Sequence, residues 1–196
     1  MTTIDTTRHA QTSAPISDVL AGRWSPRAYV ADAVINETKL SSALEAARWS
    51  PSANNSQPWR FIVARRGTES FQKIVDALVG FNQAWAQHAS VLLVAVAATK
   101  NEEGGDQPWA IYDLGQSLAH LSVQAHKDGL YVHQMAGFDP AALTASFGLE
   151  EGFVPFTVSA LGELAAPETL EDDFLRSRET APRERKALDE IVVVND

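Results

Sequence analysis

Apolar positions along the chain switch between a helical and an alternating period, and the switches mark the elements. Leu40, Ala43, Leu44 and Ala47 recur at helical spacing behind Asn36, whose side chain suits an N-cap. Ile111, Leu114, Leu118, Leu121 and Ala125 follow at steps of three and four. They predict the longest helix, with Gly129 as its C-cap. A short helix is expected where Ile16, Val19 and Leu20 share a face that Gly22 ends. One or two more should carry Phe71, Ile74, Leu78, Phe81 and Trp85, and another should run from the Asp139-Pro140 cap to Gly148. Residues 59–65, 91–98, 130–136 and 156–162 predict strands, the unbroken apolar run Val91 to Ala98 being buried on both faces. Ile191 to Val194 predicts a terminal strand, which needs a sheet to join.

Strands and helices intermix without strict βαβ alternation, which favours an α+β sandwich over a doubly wound fold. There is no internal repeat and no linker, so a single domain is expected over residues 16–196, behind a flexible N-terminal arm at 1–15.

Composition narrows the chemistry. The chain has 196 residues, 45% hydrophobic and 21% charged, ordinary values for a globular protein with one substantial core. Its longest apolar run is far too short to cross a bilayer, and Met1 to Ser13 is polar and threonine-rich rather than leader-like. A cytoplasmic location is expected. With no cysteine there is no thiolate nucleophile, disulfide or cysteine-ligated metal centre. A net charge of -9 repels nucleic acid and anionic membrane, so an anionic ligand would require a local cluster of arginines.

Three groups of residues could supply a site. The loop from Pro51 to Trp59 crowds Ser52, Asn54, Asn55, Ser56 and Gln57 between a helix and a strand. Such donors suit a polar heterocycle or a phosphate, and they equally suit a plain turn. Arg23, Ser25 and Arg27 put two guanidinium groups and a hydroxyl within five residues. They are either an anion cradle or a solvated turn. Arg183, Arg185 and Lys186 lie in a charged C-terminal segment and count only if the fold returns them to Arg23. Histidine gives no metal signal: His120 and His126 stand about 240 degrees apart on a helix, no HExxH pair exists, and His133 is expected to be structural. The one glycine pair, Gly104-Gly105, lies in an acidic loop and forms no phosphate-binding motif.

Taken in order, these pieces resemble the nitroreductase family. The resemblance rests on Arg23-x-Ser25-x-Arg27, on the P-S-x-x-N-x-Q-P-W loop at Pro51 to Trp59, and on the helix from Tyr112 to Gly129. Met135-Ala136-Gly137-Phe138, the strand ending Ala160-Leu161-Gly162, and Arg185 to Val192 complete it, over about residues 16 to 194. It implies an α+β fold with a mixed, mainly antiparallel sheet flanked by helices, in an intertwined homodimer whose terminal strands cross to the partner's sheet. FMN would lie in two sites at the subunit interface.

By that resemblance Arg23 and Ser25 would hold the FMN phosphate with Arg185 or Lys186, and Arg27 would approach the flavin's pyrimidine edge. Trp24 belongs to the same element, standing where the family often has a second basic residue. Pro51, Ser52, Ala53 and Asn55 would come from the other subunit, with Gln57 near the flavin. Met135, Ala136 and Gly137 would lie along the isoalloxazine face turned from substrate. The implied activity is ping-pong transfer of hydride from NAD(P)H through FMN to a nitroaromatic or quinone. A flavin-dependent dehalogenase, a flavin-fragmenting enzyme and a flavin-storage protein remain alternatives.

Overall fold

The structure, a computed structural model, describes residues 8–195; residues 1–7 of the expected arm and Asp196 lie outside the described residues. Four strands form an antiparallel sheet in the order β1-β2-β4-β3: β1 is Trp59–Arg65, β2 Val91–Ala98, β3 Tyr131–Met135 and β4 Phe153–Gly162. β2 is central, and all eight of its residues are buried. The pleat divides it between two cores. Leu92, Val94 and Val96 pack on one face with Ile74, Trp85, Leu143 and Leu175, while Val91, Leu93, Ala95 and Ala97 pack on the other with Leu40, Ala47, Leu114 and Leu121.

Helices cover both faces, as a sheet with two apolar sides requires. On the second face lie α2 (Glu37–Arg48), capped by Asn36 accepting from the Lys39 N–H, and α5 (Ala110–Lys127). On the first lie α3 (Glu69–Ala77), α4 (Asn82–Ala86) and α6 (Pro140–Phe147), and α7 (Asp173–Thr180) contributes Leu175. Asp139 caps α6 as the sequence implies, and Gly148 ends it in the left-handed conformation. A short α1 (Asp18–Gly22) precedes them, and one turn, α8 (Leu188–Ile191), follows.

Three expectations are corrected, and a fourth element, the terminal strand, finds no partner among the described strands of one chain. α1 does not bury Ile16 and Leu20, which are exposed; Ala21 and Gly22 are buried instead. A Cβ on Gly22 would come within 2.8 Å of His126 Nε2, so the smallest residues form the contact. Ile111 lies outside the buried face of α5, where Ala110 and Asp113 take its place. β4 begins at Phe153 rather than 156, continuing through Pro155 because a register shift opposite Ala95 and Val96 accommodates the proline. Finally, Ile191 closes α8, and residues 192–195 pair with no described strand; Val192, Val193 and Val194 are exposed. An apolar run cannot form an isolated strand, and it pairs with neither sheet edge, β1 or β3, of its own chain.

Candidate functional site

The chain leaves α1 through Arg23, whose extended backbone (φ -63°, ψ 130°) ends the helix. Three side chains from distant elements then fix residues 21 to 28. Arg183 Nη1 donates to the carbonyls of Ala21 (2.6 Å) and Arg8 (2.6 Å), and Nη2 donates to that of Arg23 (2.8 Å). A cation thereby satisfies carbonyls that a helix C-terminus leaves open. His133 holds Pro26 through Nδ1, 2.8 Å from the Pro26 carbonyl oxygen. Glu179, only 1% exposed, accepts from the backbone N–H of Arg27 at both carboxylate oxygens (2.9 Å each) and from that of Ala28 (3.0 Å).

A carbonyl oxygen can only accept, so His133 Nδ1 carries a proton, and with its pKa lowered the ring is neutral near pH 7. Burial lowers its pKa to about 4; the bond to Pro26 opposes this, and the charges of Arg27 and Arg23 add to it. The ring packs on Trp85 with centroids 4.6 Å apart. Trp24 is buried beneath the Arg8 guanidinium, which stands 4.0 Å over its ring.

With the backbone held, Arg23, Ser25 and Arg27 line a cavity of about 330 Å³ together with Arg8, Arg178, Arg183 and Arg185. The cluster strains against itself. Burial and then the Arg185 charge lower the pKa of Arg23. Burial, Arg23, Arg185 and Arg8 do the same to Arg183. For Arg27 burial is the larger effect, with Glu179 opposing it and Arg178 adding to it. Arg8 Nε is buried without a hydrogen-bond partner among the described residues. An anion with several acceptor oxygens would offset the mutual repulsion of these guanidinium groups, which makes the donor set fit a phosphate.

A second surface lies at the loop between α2 and β1. Asn54 (φ 53°), Asn55 (φ 57°) and Gln57 (φ 47°) all adopt left-handed backbone conformations, uncommon for residues with a Cβ. Ser52 Oγ accepts from the Gln57 N–H (3.0 Å), and Gln57 Nε2 donates to the Asn55 carbonyl (3.0 Å). The Ala53 N–H donates to Oδ2 of the buried Asp113 on α5 (3.0 Å). Ala53, Asn54, Ser56 and Gln57 border a cavity of about 740 Å³ that reaches Trp109 and the acidic 100–107 loop. Pro51, Ser52 and Ala53 border a smaller one beside Tyr112. Met135 to Gly137 lie at the end of β3, where the Gly137 carbonyl accepts from the Val79 N–H and Asn82 Nδ2, both at 3.1 Å.

The structure thus brings Arg23, Trp24, Ser25, Arg27 and Arg185 to one cavity. Lys186 does not line it, whereas Arg183 does. Pro51, Ser52, Ala53 and Gln57 line separate cavities that share no residue with the arginine cluster within one chain.

Residues 20–83 match the nitroreductase family model. A 15.4 kDa protein of uncharacterised function from Mycolicibacterium smegmatis is 36% identical over 139 residues, covering 67% of this chain and 92% of that one. A protein from Archaeoglobus fulgidus, named as a candidate NADH dehydrogenase/NAD(P)H nitroreductase, is 30% identical over 144 residues, 71% of this chain and 80% of its own. The chain belongs to the nitroreductase family. A crystal structure of an oxidoreductase containing FMN superposes with a TM-score of 0.87 at 32% identity, covering 92% of each chain. The fold described above is therefore the nitroreductase fold.

In this nitroreductase-family chain three site-building residues carry no sequence signal. Glu179 sits in a charged run and looks like its exposed neighbours. Asp113 occupies the polar side of a helical pattern yet is buried. Arg8 belongs to the stretch expected to be a loose arm, yet it donates to the Glu179 carbonyl. Only His133 was marked as structural, without its partner being identifiable.

Proposed function

We propose that the chain is an FMN-dependent oxidoreductase that takes hydride from NAD(P)H and delivers it to a small oxidised acceptor, a nitroaromatic or a quinone, in a ping-pong sequence. The observation that carries this reading is the arginine-lined cavity, a phosphate-sized set of donors on a rigidly held turn, in a nitroreductase fold. Bound FMN would supply the redox chemistry, so the chain needs neither a nucleophile nor a metal.

The residues then divide the work of binding. Arg23, Ser25 and Arg185 hold the phosphate, with Arg183 fixing the turn and closing the cavity wall. Trp24, buried under Arg8, keeps that turn dry on its inner side. Arg27, its backbone clamped by Glu179, is directed to the pyrimidine edge, where a cation stabilises negative charge developing on reduction. Pro51, Ser52, Ala53, Asn55 and Gln57 serve the flavin of a partner subunit, consistent with their separation from the arginine cavity in a single chain. Met135, Ala136 and Gly137 line the face turned from substrate.

The active form in this proposal is a homodimer in the cytoplasm, each chain contributing one domain. Exposed Trp49, Tyr112 and Val193 await cover, and residues 191–194 would cross to the partner's sheet. Under anaerobic conditions NADH or NADPH should bleach the yellow protein, and addition of a nitroaromatic or quinone should restore the colour. Protein that binds FMN and stays yellow with both nucleotides would instead be a storage protein.

A further inference from the structure

The loop from Pro51 to Trp59 holds three residues with a Cβ in left-handed conformations, at Asn54, Asn55 and Gln57. Each such residue is disfavoured relative to extended or helical backbone, so the loop persists only if surrounding contacts over-determine it. Most of its hydrogen bonds are internal: the Asn55 N–H to the Ser52 carbonyl (3.0 Å), the Ser56 N–H to the Ala53 carbonyl (3.0 Å), and the Gln57 bonds to Ser52 and Asn55. Bonds inside a loop fix its shape without fixing its place. Arg60 Nη1 donates to the Gln57 carbonyl at 3.0 Å from the adjoining strand, where the chain already continues.

The loop's two ends are tied down, by Ser50 Oγ against His120 Nδ1 (2.8 Å) and by the Ala98 N–H donating to the Pro58 carbonyl (2.7 Å), and between them the bond that reaches another element is the one from the Ala53 N–H to Asp113 Oδ2, at 3.0 Å. Asp113 is 2% exposed and lies in the first turn of α5, where the helix dipole favours a carboxylate. Its Oδ1 receives only a long contact from Gln116 Nε2, at 3.5 Å. A buried carboxylate with so few other donors depends on Ala53 as much as Ala53 depends on it.

We propose that Asp113 is the positioning residue of the flavin-facing loop, its carboxylate holding the Ser52 to Gln57 segment, with left-handed Asn54, Asn55 and Gln57, in place against α5 before any flavin arrives. The proposal rests on the flavin reading above, because it assigns the loop a ligand. Asp113 need not touch that ligand; its contribution is preorganisation, which a ligand would otherwise have to supply from its own binding energy.

The test compares Asp113→Ala, Asp113→Asn and Ala53→Pro. Asparagine keeps a carbonyl oxygen able to accept from Ala53. Proline deletes only the donor: Ser52 is already extended (φ -147°, ψ 154°), as a residue before proline must be, and Ala53 opens a 3-10 turn, where proline is tolerated. Two readouts are taken on flavin-free protein: amide hydrogen exchange over residues 51–57, and FMN affinity by titration of flavin fluorescence. Asp113→Ala and Ala53→Pro should each speed exchange of the loop and weaken FMN binding roughly tenfold or more, the double variant being no worse than either. Asp113→Asn should stay within about threefold of the parent. If Asp113→Ala fails to fold, Ala53→Pro and Asp113→Asn decide alone. Unchanged exchange and affinity in Ala53→Pro would overturn the proposal. If the parent itself takes up no FMN, the flavin reading fails, and the exchange data still show whether Asp113 anchors the loop.

Discussion

Arg23 illustrates how one residue can be poor for the free protein and good for its ligand. Burial and the neighbouring Arg185 make its charge unfavourable, and no side-chain partner offsets this among the described residues. Arg23→Ala should therefore leave the stability of the flavin-free protein intact while weakening FMN binding by about 10- to 100-fold, the worth of a lost charge-assisted hydrogen bond. Equal FMN affinity in the variant would remove Arg23 from the phosphate site. His133 makes the complementary case. Its native pKa of about 4 lies below the ordinary histidine value of 6.5, so the unfolded chain binds the proton more tightly. Stability contributed by the neutral ring is complete above pH 6.5 and is lost as pH falls towards 4. Urea denaturation should show a loss of about 2 kcal/mol between pH 7 and pH 5, and His133→Gln, which can still donate to Pro26 but cannot titrate, should remove much of it. An undiminished pH dependence in that variant would contradict the assignment. At this scale the sequence made Arg23, Ser25 and Arg27 visible because they are close in the chain. It could not show Glu179 beneath them, since a buried carboxylate and a solvated one are the same letter in a charged run.

Elements were legible wherever burial imposes a period. β2 shows why: eight apolar residues in succession have no polar face, so both sides must be covered, and alternate residues do join the two cores. β4 starts three residues earlier than the expected 156 and runs through Pro155, because a local register shift absorbs the proline. Ile111 was assigned to the buried face by spacing alone, yet the first turn of α5 is placed by Ala110 and Asp113. The end of β4 is as tightly specified as its middle. A Cβ on Gly162 would stand 2.9 Å from Cδ1 of Tyr29, a ring whose hydroxyl donates to the Ala160 carbonyl, and 3.3 Å from the Ser90 backbone nitrogen. Gly162→Ala should cost about 1–3 kcal/mol in chemical denaturation, and because Tyr29 directly follows the turn that carries Arg23, Ser25 and Arg27, FMN affinity should fall with it. A variant as stable as the parent would mean that the strand end yields more easily than its packing indicates.

For the whole molecule, the net charge of -9 makes the local arginine cavity more informative, because those cations are gathered against the overall field. The sheet, its two helical layers and the family were legible in one chain. The proposed dimer was not, because an exposed apolar tail such as Val192 to Val194 does not name what covers it. In one chain the arginine cluster and the loop line different cavities, and only the proposed dimer would join them. The measurement that tests the central claim most directly is denaturing release and identification of whatever chromophore the purified protein carries, with added FMN supplied to any colourless fraction. The account predicts released or newly bound FMN in stoichiometric amount with the chain. A colourless protein that does not take up FMN would contradict it.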